Sequence, residues 1–186
     1  MRSLRLSAVV AVAVAVTLSG CGGSDSGSAD PSTSSTPTPS SSHQAEPGEP
    51  ELVSVPGYEF TAVEADGQEA VDSMLTLLEG VYTGGSIHTV TTADGAEIGG
   101  LMLFTVSPEA TDLGVGNADS LLGSYAGAAG AQGTVETMSG DTVVTGPADS
   151  DGAKTYVWFH EGVLTMYQGD EAESADFMEA YLAAHA

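Results

Sequence analysis

From Gly22 to Pro50 the chain contains no aromatic residue and no aliphatic residue larger than alanine; serine, threonine, proline, glycine and a few acids make up almost all of it. Such a segment has nothing to bury against the entropy cost of ordering its backbone, so it stays out of any core. Folding is confined to the residues beyond it. Hydrophobic periodicity begins near Gly57, and residues 57–186 suffice for one modest core and not for two. The chain of 186 residues therefore reads as three parts, 1–20, 21–56 and 57–186.

The first part has the form of a secretory signal peptide. Met1 to Arg5 is a short basic start, and Leu6 to Leu18 is an apolar run broken only by Ser7 and Thr17. A bilayer span needs about 20 apolar residues, so this run is an h-region to be cleaved. It ends in Leu18-Ser19-Gly20-Cys21, and here the chain resembles the bacterial lipoproteins, whose lipobox is an aliphatic residue, two small residues and a cysteine. The resemblance implies a diacylglycerol on the Cys21 sulfur and cleavage between Gly20 and Cys21. Cys21 is also the single cysteine, so it has no intramolecular disulfide partner in an oxidising compartment. At ~0.8 kcal/mol per buried methylene, two acyl chains anchor a protein durably where one does not. The expected location is the extracytoplasmic face of the cell membrane. The Ala/Val/Gly/Asp-rich usage is similar to that of actinobacterial envelope lipoproteins of unknown function.

Residues 21–56 then act as a tether. Pro31, Pro37, Pro39, Pro47 and Pro50 stiffen it, and a flexible chain of this length reaches on the order of 30 Å. That lifts the folded part off the bilayer.

Charge narrows the partners. The chain carries 26 Asp and Glu against 3 Lys and Arg, and two of those three, Arg2 and Arg5, precede the cleavage point, leaving Lys154 alone against every acid. Such a field repels phosphate backbones and anionic headgroups, which excludes nucleic acid. A basic envelope protein or a small ligand is the partner expected, apart from the membrane reached through the lipid. A third account assigns the acidity to solvation in high salt.

In the domain, Tyr58, Phe60 and Ala62 alternate as a half-exposed strand. A helix comes next, with Asp66 as its N-cap, Glu69 completing a capping box, and Val71, Met74, Leu75, Leu78 and Val81 on one face; Gly84 and Gly85 stop it. Ser86 to Thr92 and Glu97 to Val106 form a hairpin about Asp94-Gly95, the second strand apolar enough to be covered on both faces. Pro108 closes this unit. A second helix spans Asn117 to Ala131 with Leu121, Leu122, Tyr125 and Ala129 inward, and its glycines 123, 127 and 130 suggest close packing on a sheet. Two further hairpins turn at Ser139-Gly140-Asp141 and Glu161-Gly162. Asp170 and Glu173 open a terminal helix with Phe177, Met178, Tyr181 and Leu182 inward. This order predicts an α+β fold, a mainly antiparallel sheet with about three packed helices in two or three layers.

Candidate chemistry is sparse. His88, His160 and His185 have no ligand at metal spacing, and His160-Glu161 lacks a nucleophile to serve as a general base. Asp149-Ser150-Asp151-Gly152 resembles the start of a calcium loop, but His160 stands where the twelfth-position glutamate belongs. There is no Gly-x-Ser-x-Gly elbow and no phosphate-cradling glycine pattern. No metal site, cofactor or catalytic residue is expected. Tyr156, Trp158 and Tyr167 belong to the densest aromatic cluster, for which core packing is the first reading; in the second they are the candidate ligand-binding set. The expectation is a lipid-anchored, non-catalytic binding or accessory module of the cell envelope; an envelope hydrolase or metal-dependent enzyme is the rival.

Overall fold

The chain runs β1 (Tyr58–Ala62), α1 (Ala65–Leu77), β2 (Tyr82–Thr92), β3 (Glu97–Val106), α2 (Pro108–Asp112), α3 (Ala118–Ala129), β4 (Thr134–Met138), β5 (Asp141–Thr145), β6 (Ala153–His160), β7 (Val163–Asp170) and α4 (Glu171–Ala183). These elements come from a computed structural model that describes residues 50–63 and 65–186. The signal segment 1–20, the cleavage site at Gly20 and Cys21, and the tether up to residue 49 lie outside the described residues, as do Glu64 and the side chains of Ala65 and Asp66. Among the described residues no helix is long and apolar enough to cross a membrane.

The fold is α+β. Seven strands form one antiparallel sheet in the order β1-β2-β3-β7-β6-β5-β4. The chain walks inward from one edge through β1, β2 and β3. It then crosses to the far edge and walks inward again through β4, β5, β6 and β7. The two walks meet where β3 pairs with β7, Leu101 opposite Tyr167. Hairpin chemistry sets the registers: Glu161 at φ 46° and Gly162 at φ 83° supply the two left-handed positions that match the twist of β6 and β7.

Strand alternation sorts the core into two layers. Leu101, Leu103, Val143, Tyr156, Trp158 and Tyr167 meet Phe177, Met178, Tyr181 and Leu182 of α4 on one face. Phe104, Val106, Val144, Val157, Leu164 and Met166 meet Val71 of α1, Ala110 of α2, and Leu121 and Tyr125 of α3 on the other. The sandwich is three-layered. Val55 and the half-buried Leu52 also pack into the α4 layer, so core packing starts ahead of the periodicity that begins near Gly57.

Three local expectations change. First, α1 already includes Asp66, so that residue lies inside the helix and not before it, and Leu78 and Val81 fall beyond its end. Gly84 and Gly85 belong to β2 instead of stopping the helix. Gly85 is needed under α1, because a Cβ there would press on Phe104 at 2.9 Å and Val71 at 3.1 Å. Second, the hairpin ends at Val106, ahead of Pro108, but a short helix not expected from the sequence follows it: Pro108 occupies the first turn of α2, with Ser107 as the N-cap accepting from the Ala110 amide at 3.2 Å. Third, Gly123 and Gly127 of α3 are exposed, with nothing within 4 Å of an added Cβ. The close approach occurs at Gly133 and Gly146, where the ring of Tyr125 fills the space a side chain would need.

Candidate functional site

Strands β6 and β7 carry the candidate aromatic side chains, and α4 packs over them. Asp170 caps it, its carboxylate accepting from the Ala172 amide at 2.9 Å. Phe177 and Tyr181, one turn apart, then descend on the sheet. Rings succeed one another along this seam: Tyr58 to Phe177 at 5.1 Å, Phe177 to Tyr167 at 4.5 Å, Phe177 to Tyr181 at 5.7 Å, and Tyr181 to Trp158 at 5.9 Å between centroids. The separations suit aromatic pairing.

The candidate ligand set is brought together by this packing and is also enclosed by it. Tyr156, Trp158 and Tyr167 share one sheet face, with 2, 2 and 0% of their surface exposed. They are core, and a ligand would reach them only after α4 had moved. The sequence could show that Tyr156 and Trp158 point the same way, but not that α4 lies over them. Desolvation accompanies this burial. The Tyr181 phenol is pushed up to about 12, with a Thr165 hydrogen bond opposing in part, and Tyr167 is raised further, its Ser174 hydrogen bond opposing. Tyr167 Oη donates to the Ile98 carbonyl at 3.0 Å. Trp158 Nε1 is buried with no acceptor.

Two histidines that stand far apart in sequence meet at the open end of the seam. His160, the last residue of β6, stacks on Trp158 at 5.0 Å and 16°. His185, just past α4, meets Trp158 edge-on at 5.0 Å and lies 6.0 Å from the His160 ring. Both are half-buried. His185 Nδ1 is 2.9 Å from the Tyr181 carbonyl, an acceptor only, so Nδ1 carries the proton. Linear spacing gives no sign of this pair, because a strand end and a helix end are joined only by tertiary packing.

A second polar pair was accessible to sequence reasoning. Ser86 and His88 are alternate residues of β2, hence on one face, and Ser86 Oγ is hydrogen-bonded to His88 Nε2 at 3.0 Å. Only 6% and 9% of the two residues is exposed. The pair has the composition of a nucleophile and its base, without open access to it.

The acidic loop is closed on itself. Asp149 Oδ1 accepts from the amides of Asp151 and Ala153, each at 2.9 Å, which is turn chemistry using the oxygen a cation would need. Among the described residues no group of three or more His, Cys, Asp or Glu converges as a metal site. Every described carboxylate is exposed, apart from the half-buried Asp141. Lys154 lies with its ammonium 5.3 Å over the Tyr156 ring. No family model, curated protein or solved structure matches the chain.

Proposed function

We propose that the chain is a membrane-anchored, extracytoplasmic lipoprotein whose acidic α+β domain acts as a non-catalytic binding or accessory module of the cell envelope. The lipobox Leu18-Ser19-Gly20-Cys21 and the unburiable segment after it support the anchor and the spacer. One structural observation supports binding by the outer surface: the aromatic side chains are spent in the core, while the carboxylates lie outside it. A surface of this kind selects a basic partner by charge, with strong dependence on salt.

Two measurements test the reading. Cys21→Ser should shift the protein from the membrane to the soluble fraction and remove the lipid mass from its amino end; membrane retention of that variant would defeat the anchor. Poly-L-lysine should bind the domain at low salt and dissociate as sodium chloride is raised, whereas poly-L-glutamate should not bind. Equal binding of both polymers would defeat the charge-based surface.

The hydrogen bond between Ser86 and His88 favours a second reading, an envelope hydrolase in which local opening over β2 exposes the pair. A serine-directed fluorophosphonate should then label the native chain and fail to label Ser86→Ala. Absence of labelling in the native chain rejects this reading.

A further inference from the structure

We propose that His160 and His185 form a capture site for one borderline divalent transition-metal ion, of the copper(II) or zinc(II) type, built over the Trp158 ring. This site goes beyond the envelope-binding reading and does not depend on the lipid anchor.

The geometry carries the inference. Two imidazoles bound to one ion through bonds of about 2.0–2.1 Å have ring centroids about 5–6 Å apart, depending on the angle at the ion. The centroids here are 6.0 Å apart, with the rings inclined at 76°. The Nδ1 proton of His185 is held by the Tyr181 carbonyl, which leaves the lone pair on Nε2. That is the outer hydrogen bond by which proteins fix the tautomer of a ligating histidine. His160 is held by its stacking on Trp158, so its orientation is set without using its ring nitrogens. Holding both rings against one indole removes rotamer freedom that binding would otherwise have to remove.

The surroundings suit a cation of this class. Imidazole nitrogen prefers copper(II), zinc(II) and nickel(II) over calcium and magnesium, which take oxygen. The half-buried setting of both rings leaves the remaining coordination positions to water or a small anion. The anionic exterior raises the local concentration of any cation. Selection among cations must come from the imidazoles.

Trp158 is the only tryptophan in the chain, so the site contains its own reporter. Titration of the full chain with copper(II) in the presence of a hundredfold excess of calcium should quench Trp158 emission to saturation. His160→Ala and His185→Ala should each raise the midpoint tenfold or more, while His88→Ala and His43→Ala stay within twofold. A midpoint unchanged in the His160→Ala, His185→Ala double variant, or one that calcium shifts upward in the unsubstituted chain, would place the ion on surface carboxylates and overturn the proposal. A second measurement needs no variant. Zinc(II) added to the unsubstituted chain labelled with nitrogen-15 should shift the ring nitrogen resonances of two histidines, leaving His88 in place. Absence of any such shift overturns the proposal equally.

Discussion

Gly99 and Gly169 face one another across β3 and β7, and the phenol of Tyr167 lies over the pair, donating to the Ile98 carbonyl at 3.0 Å. Space, not backbone conformation, demands glycine at both places. A Cβ on Gly169 would collide with the Ile98 carbonyl oxygen and with Tyr167 Oη, and one on Gly99 would lie 2.7 Å from the Gly169 Cα. A backbone carbonyl in a paired strand cannot swing aside cheaply. Gly169→Ala should therefore destabilise the domain by about 1–3 kcal/mol, read as a lower urea midpoint with an unchanged slope.

The same phenol makes the domain sensitive to alkali. Burial raises the ionisation of Tyr167 above its ordinary value of 10.0, and Tyr82 and Tyr125 are raised by the same cause, with Lys154 opposing at Tyr125. Folding holds these protons more tightly than the unfolded chain does. Stability is therefore complete below pH 10 and falls as the pH rises above it, by about 1.4 kcal/mol per pH unit for each phenol that stays protonated only when folded. Phenolate absorbance near 295 nm should rise in stages, the half-buried Tyr58 and Tyr82 ahead of the buried Tyr167, whose ionisation should coincide with loss of near-ultraviolet dichroism. Ionisation of all six tyrosines in a single stage near pH 10, with the fold intact, would contradict the burial of Tyr167.

Two glycines of α3 offer the opposite effect. Gly123 and Gly127 lie in the helix interior, exposed, and an added Cβ at either meets nothing within 4 Å. Alanine lowers the entropy of the unfolded chain and disturbs no packing. Gly123→Ala and Gly127→Ala should each stabilise the domain by about 0.5–1 kcal/mol, and the double variant should be close to additive because the residues share no partner. Thermal unfolding of the three variants checks this.

Local signals explain what the sequence made legible. Asp94-Gly95 between apolar runs marks the β2–β3 hairpin, and Phe177, Met178, Tyr181 and Leu182 mark the buried face of α4, because turn chemistry and helical period act over a few residues. The errors occur where one residue type serves two purposes. Gly84 and Gly85 read as a helix stop by the same rule that makes glycine a breaker, yet Gly85 sits in β2 to admit α1. Tyr156, Trp158 and Tyr167 read as core or as a ligand platform, and alternation alone could not decide between them because it fixes which residues share a face but not what covers it. The Ser86–His88 pair was within reach, since alternate strand residues lie side by side. The His160–His185 pair was not, since it depends on where α4 ends over β6.

Charge gives the last prediction. Outward-facing Glu173, Asp176 and Glu179 succeed one another at three-residue spacing on α4, and no basic residue stands in that helix's last turn. Like charges at this spacing oppose the helix by about 0.2–0.5 kcal/mol per pair, and so does a negative charge near its carboxyl end. Both effects are screened by salt. The domain should gain stability between 10 mM and 0.5 M sodium chloride, and Glu179→Lys should stabilise it at the low end by a few tenths to about 1 kcal/mol, the advantage shrinking as salt rises. Folding that persists at 10 mM salt, with a gradual rise above it, argues for a surface kept anionic for binding. Cooperative unfolding below a threshold of molar salt would instead assign the acidity to solvation in brine, and in that case Glu179→Lys would lose its benefit.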